Sequence, residues 1–369
     1  SENKCNYYAF NSYQTGHLNY TGGEFKNNTI DSITEGYQYL DAKFKDVEFS
    51  GNTCTSTSYG AFKIENGANM SFTGCTISDN SIASSALFQV KMSYDFNVTD
   101  CIITGNRFSS SGGSLLSVQN SINVTFSGCE IKNNVTGTSA NTINFYGTLN
   151  LIDTQITGNT GVHAVYVPAS GRTLNIGGNT VIYDNRNSAG VQNNLYFASA
   201  GGIINITKAL GADTKIGVYR NGAGKLTKGY GLYHTEHPWD TAKFVNECTG
   251  CGTGTEGEGD TYEATTISYD PITQWEYAVL SSLADNGNPY VARMYSDWLP
   301  TDGSFGTRDN CYKSGSLYVP VGANVILELD GHTINRGLTS ARSGGYVIEV
   351  RGTLTIRDSS ATNADGTGG

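Results

Sequence analysis

The sequence predicts an all-β chain: a right-handed parallel β-helix with coils of about 26 residues, plus a short capping helix and an irregular insertion. Two observations carry this expectation. The first is a column of Asn at a near-constant interval: Asn28, Asn52, Asn80, Asn106, Asn134, Asn159 and Asn185, spaced by 24, 28, 26, 28, 25 and 26 residues. The second is a composition that is polar, weakly charged and rich in corner residues. Of 369 residues, 46 are Gly, 35 Asn and only 6 Pro, with 15% charged and 38% apolar. Globular chains usually carry about 25% charge. The apolar content is too high for a disordered chain.

Each coil supplies three strands. In the first, apolar residues alternate with polar ones: Phe62/Ile64, Phe88/Val90, Leu116/Val118, Ile143/Phe145 and Val165/Val167, with Lys63, Gln89, Ser117 and Asn144 between the first four pairs. The second repeats the pattern with Met70/Phe72, Phe96/Val98, Val124/Phe126, Leu149/Leu151 and Leu174/Ile176. The third is short and centres on Ile77, Ile103, Ile131, Ile156 and Ile182. Period-two alternation means one buried face, and like residues stack about 4.8 Å apart from coil to coil.

Two columns mark the corners. Stacked Asn amides can hydrogen-bond along the stack, and Asn tolerates the left-handed backbone that such corners need. Five residues before the Asn column lie Cys75, Cys101, Cys129, Thr154 and Thr180. These fit an interior stack of small side chains, or disulfides between neighbouring coils, since a spacing of about 4.8 Å lies within the usual Cα range. Asp100 and Asp153 precede this column and fit a turn role.

The tail follows the same frame. Ile348/Val350 and Leu354/Ile356 stand at the offsets from Ser359 that Ile143/Phe145 and Leu149/Leu151 keep from Thr154. Thr273 and Glu276 form a capping-box pair opening a helix with Trp275, Ala278, Val279 and Leu283. The expected organisation is therefore middle and closing coils over 1–235, an irregular Gly-rich acidic linker over 236–264, and a capping helix with opening coils over 265–369.

The segments SFTGCTISDN, VTFSGCEIKNN and LNLIDTQITGN resemble the β-helical repeat modules, of pectin-lyase-like type, found in bacterial and archaeal adhesin-like surface proteins. LGADTKIGVYRNGAGKLTKGYG looks like the end of such a module, and TQWEYAVLSSLADNG with SGSLYVPVGANVILELDGHTINRG looks like its beginning. The order is thus circularly permuted. The resemblance implies a structural protein, secreted or at the cell surface, whose partners are copies of itself placed head to tail, with surface glycans as a further candidate.

Other classes are tested on the residues. A net charge of −10 argues against nucleic acid. No apolar run approaches the ~20 residues of a membrane span. The first residue is Ser rather than Met, which reads as a processed or excised segment. A polysaccharide lyase or hydrolase needs carboxylates clustered on one outward face. The second-strand face, Asn69/Ser71, Asp95/Asn97, Asn123/Thr125, Thr148/Asn150 and Thr173/Asn175, holds one, and Lys63, Glu65, Gln89 and Lys91 read as a solvated surface. The expectation is no catalytic residue, cofactor or metal. Cys248 and Cys251 read as loop cysteines in a local or long-range disulfide rather than a zinc pair, and His234 and His237 as exposed loop residues. The 23 Tyr fall in no evident column, which leaves a monomeric glycan-binding module as a weaker alternative beside the enzyme. Sequons occur at Asn19, Asn27, Asn69, Asn97, Asn123, Asn134 and Asn205. Of these, Asn69, Asn97, Asn123 and Asn205 are expected to point outward, and Asn134 to lie in the ladder.

Overall fold

The computed structural model describes residues 4–359 except 14–15, 38–40, 67–68, 92–94, 121, 169–171, 200, 221, 223, 234–242, 249–250, 257–262, 269, 301–302, 341–342 and 344. The chain divides into two units. One comprises Ser1–Arg220, Lys225–Glu247 and Thr253–Thr265; the other comprises Asn221–Gly224, Cys248–Gly252 and Thr266–Gly369.

The first unit is a parallel β-solenoid in the expected register. In the first-strand column, Phe62, Phe88, Leu116, Ile143, Val165 and Leu195 stand one above another. In the third-strand column the series is Phe25, Phe49, Ile77, Ile103, Ile131, Ile156, Ile182 and Ile216. The second strands form a nine-stranded parallel sheet from His17–Thr21 to Thr227–Lys228. The alternating apolar residues named above are buried. Towards the N-terminus the interior is an aromatic stack, with Phe44 over Phe72 at 5.1 Å and Phe62 over Phe88 at 5.4 Å. Further on it becomes aliphatic, through Leu149, Leu151, Leu174 and Ile176.

Two corners of each coil turn through a left-handed residue, and these residues obey a rule that the Asn and Cys columns had masked. Before the Cys/Thr column the series runs Gly22, Asp46, Gly74, Asp100, Gly128, Asp153, Gly178. Before the Asn column it runs Asn27, Gly51, Asp79, Gly105, Asn133, Gly158, Asp184. Asx and Gly alternate up each corner, and the two corners are out of phase. All fourteen residues have φ between 49° and 69°, where Gly, Asn and Asp are the tolerated types. The alternation has a steric cause: a Cβ on Gly74, Gly128 or Gly178 would collide with Oδ1 of Asp46, Asp100 or Asp153 in the coil before. The second corner pairs Asn27 with Gly51, Asp79 with Gly105 and Asn133 with Gly158 in the same way. The turn role expected for Asp100 and Asp153 is thereby specified.

The stretch expected to be an irregular linker contains regular pairing. Phe244–Asn246 is a strand parallel to Ile216–Val218, and its Phe244 ring continues the third-strand column. Cys251–Glu256 is also a strand.

In the second unit the helix spans Pro271–Ala284, three residues earlier than the Thr273 cap predicts. Asp270 is the cap, accepting from the backbone N–H groups of Ile272 and Thr273, and Pro271 takes the first helical position, where no N–H is needed. Glu276 pairs with Arg308 instead of closing a box. Trp275, Ala278 and Val279 are buried, and Trp275 Nε1 donates to the Cys311 carbonyl at 2.8 Å. Pro289–Arg293, Asn324–Glu328 and Thr353–Arg357 form one parallel sheet, and Ser316–Val319 pairs in parallel with Ile348–Val350. The coil before Thr353–Arg357 pairs two residues earlier than a Leu327/Leu329 frame set by Ile334 would place it, with Val325 opposite Leu354 and Leu327 opposite Ile356. Ile356 is 53% and Val350 46% exposed, because their coil carries no neighbour on its far side among the described residues.

Replacing Gly128 by Ala is expected to cost about 1–3 kcal/mol in urea unfolding, from left-handed strain together with the collision with Asp100. The Asp100→Ala/Gly128→Ala pair should recover part of that loss, which a double-mutant cycle reads directly.

Candidate functional site

The chemistry-bearing residues that recur in every coil converge on the buried Asn corner. Asn28, Asn52, Asn80, Asn106, Asn134, Asn159 and Asn185 are buried. Asn106 illustrates the geometry. Its Nδ2 donates to Asn134 Oδ1 at 2.9 Å and to the Ile77 carbonyl at 2.9 Å. Its Oδ1 accepts from Asn80 Nδ2 at 2.9 Å and from the Asn80 backbone N–H at 3.2 Å. The same exchange links Asn28 to Asn52, Asn52 to Asn80, Asn134 to Asn159 and Asn159 to Asn185. Each amide interior to the stack is saturated, so the corner holds no spare group for a ligand.

The ladder runs two rungs further than the spacing shows. Asn185 Nδ2 donates to Asn194 Oδ1 at 2.8 Å, and Asn194 Nδ2 donates to Glu247 Oε1. The 26-residue interval fails because residues 187–192 loop out between the two amides, while Arg186 still pairs with Thr160 and the Asn193 carbonyl accepts from Ala164 N–H. Gly217 makes room, since a Cβ there would meet Glu247 Oε1 and Asn194 Nδ2. A carboxylate suits the last rung because the final donor requires an acceptor alone. Burial pushes the Glu247 carboxyl above its ordinary value, and the Asn194 hydrogen bonds only partly oppose this.

The Cys column resolves in favour of the thiol stack. Cys75, Cys101 and Cys129 are buried with free thiols, as is Cys54. Cys75 N–H donates to Cys101 Sγ at 3.3 Å, and Cys129 and Thr154 N–H donate to Oγ1 of Thr154 and Thr180 at 3.5 Å. Sulfur and hydroxyl therefore serve one purpose here: they accept the corner N–H of the preceding coil. The Cys129 and Cys75 thiols on either side push the Cys101 thiol up, and burial adds to this. Burial alone pushes Cys54 to about 12. The proposed Cys248–Cys251 pair falls on a Cys251 side chain outside the described residues, as do His234 and His237.

The sequons separate as expected, with one exception. Asn19, Asn69, Asn97 and Asn123 are exposed, Asn27 is an exposed left-handed corner, and Asn134 is a ladder rung. Asn205 points outward but is half-buried, because its Nδ2 donates to Asn175 Oδ1, which belongs to a second amide row with Asn150. Asn123 Nδ2 donates to Asp95 at 3.0 Å.

Two readings of the outward faces need correction. Lys63 and Gln89 are not solvated; each is about 5% exposed. Lys63 Nζ lies 2.6 Å from Glu35 and 2.8 Å from Glu65, beneath the Tyr59 ring. Burial would push its ammonium down, but the two carboxylates outweigh this and raise it. The Tyr residues do form a column. Tyr166, Tyr196 and Tyr219 stand in register, with centroids 5.8 and 5.2 Å apart and planes within 17°, and His163 lies 4.2 Å from Tyr196. These rings stack on one another, so the faces a sugar would use are occupied by neighbouring rings. Burial pushes the His163 imidazole down, against the Asn193 hydrogen bond.

Glu24, Asp46 and Glu48 line a corner depression of about 320 Å³. Lys26 bridges Glu48 at 2.7 Å and Glu24 at 3.1 Å, and Asp46 lies over Gly74. Among the described residues no three His, Cys, Asp or Glu side chains are grouped to hold a metal ion. No helix among them is long and apolar enough to cross a membrane.

A parallel solenoid with stacked corner amides defines a class of repeat fold, and the comparisons agree. A family described as "right handed beta helix region" matches residues 17–221. The chain belongs to that family. No curated protein and no solved structure matches it.

Two outcomes follow from this geometry. Iodoacetamide should leave Cys75, Cys101 and Cys129 unmodified in the folded protein and label them after denaturation, as read by peptide mass spectrometry. Glu247 contributes stability that is complete below its ordinary pKa of 4.5 and is lost as pH rises through its raised folded value. Glu247→Gln keeps an acceptor without a charge. Its urea midpoint should therefore lack that acid-side gain and match or exceed the wild type at pH 7.

Proposed function

We propose that this chain is a non-catalytic structural protein of the cell surface or extracellular space, an adhesin-like unit of a fibre or tandem-repeat stalk. The supporting observation is where the recurrent polar chemistry goes. The repeated amides, thiols and hydroxyls accept and donate within the solenoid, while the outward second-strand face carries chiefly Asn, Ser and Thr. The first unit is then a spacer whose flank is hydrated and carries little charge, a build common among extracellular β-helix proteins. In that setting the exposed amides of Asn69 and Asn97 are the best-placed glycan acceptors.

Fractionation of the source cells should place the protein in the surface or secreted fraction. The purified chain should leave polysaccharide substrates intact, with and without calcium. A cytosolic location would overturn the surface assignment. Depolymerisation that Glu48→Gln abolishes would move the assignment to the polysaccharide enzymes.

A further inference from the structure

We infer that the last described coil of one copy is a docking surface for the first coil of a second copy. The inference rests on the fibre reading and supplies its junction. The last coil consists of Ile348–Val350 and Thr353–Arg357, each paired in the described structure on one side only, with Ser316–Val319 and Asn324–Glu328. Its interior side chains face an open recess of about 530 Å³ lined by Leu327, Leu329, Ile334, Val347, Ile348 and Ile356. Tyr346, Val347, Val350 and Ile356 are all exposed. So many uncovered apolar groups with unpaired strand edges form a surface that needs a partner.

The first coil is the mirror of that need. Among the described residues, Lys4–Tyr13 and His17–Thr21 pair on one side only, with Thr29–Tyr37 and Asp41–Lys45. Phe10, Leu18, Tyr20 and Phe25 turn inward yet are only partly buried. Direction selects this pair of surfaces. In a parallel solenoid, the edge that lacks a following coil can continue only onto an edge that lacks a preceding one. Joining two like edges would reverse the strands or break the coil's hand. The frame also sets the register: Leu354 meets Leu18, Thr355 meets Asn19, Ile356 meets Tyr20, and Ile348 meets Phe10.

The corner at Gly22 is open on the same side. At Gly74, Gly128 and Gly178 the space of a Cβ holds the carboxylate of the preceding coil, whereas Gly22 of the same series has no atom within 4 Å of that position. The last coil does not share the left-handed alternation at this corner: Asp358, before Ser359, is not a left-handed residue, and its Oδ1 accepts from Gly331 N–H of the coil before at 2.9 Å. The contact is heterologous, so it propagates as a filament.

The test uses the full chain carrying Thr355→Cys and Asn19→Cys, two outward positions that the register places one coil apart and within disulfide reach. Oxidation should give a ladder of multimers on a non-reducing gel. Each single variant should give no ladder, and adding Ile356→Asp should abolish it. Circular dichroism and the alkylation protection of Cys101 establish that the variants are folded. A cross-link confined to single chains, or none at all, overturns the junction. A monomeric protein found at the cell surface overturns the junction alone, and a ladder-forming protein found in the cytosol overturns the surface reading alone.

Discussion

Each amide in the interior of the corner stack donates twice and accepts twice, and every one of those partners lies in the coil before, the coil after or its own turn. In a buried site of low effective dielectric, a lost partner costs about 1–3 kcal/mol for each group left unpaired. The stack therefore cannot skip a coil. This requirement fixes the vertical register of the third strand, and with it the interior columns on either side. It also explains where irregularity is allowed. Residues 187–192 can leave the solenoid because Asn194 returns to the rung that the next coil, through Gly217, leaves open.

The Asx/Gly alternation adds a second constraint, of longer period. From Asn27 to Asp153, each left-handed Asx of these two corners overhangs the coil after it, and that coil answers with Gly. One coil is therefore not the true repeat of this chain; two coils are. Removing a single coil would set Asx against Asx at one corner and Gly against Gly at the other, whereas removing two would restore the phase. Chain length between corners can vary, as the Asn intervals do, because the constraint acts on residue type and backbone conformation rather than on spacing.

The solenoid was legible because its signals are local and repeated. Phe88 and Val90, or Cys101 and Ile103, announce the same buried face at the same offset in successive coils. What escaped depends on groups brought in from outside the column. Lys63 reads as outward and solvated, and it becomes buried because a neighbouring loop lays Tyr59 over it. Tyr166, Tyr196 and Tyr219 form a column at intervals of 30 and 23 residues, which no constant period reveals. Glu247 closes the ladder from 53 residues beyond Asn194, with a residue type the column does not predict. The helix start was missed for a simpler reason: Thr273 offered a cap, and Asp270 with Pro271 offered a better one.

The ends of each unit follow from the same physics, and they are not alike. The first unit ends on Glu247 and on the buried Glu263, which accepts from Thr227 Oγ1 and from the N–H groups of Gly229 and Tyr230. The second unit begins under a helix that buries Trp275, Ala278 and Val279. Both finished ends lie in the middle of the sequence. The start of the first unit and the end of the second keep half-covered interiors and unpaired edges. At those described edges the apolar interior is covered from one side only, and that is the chemistry a further coil would satisfy.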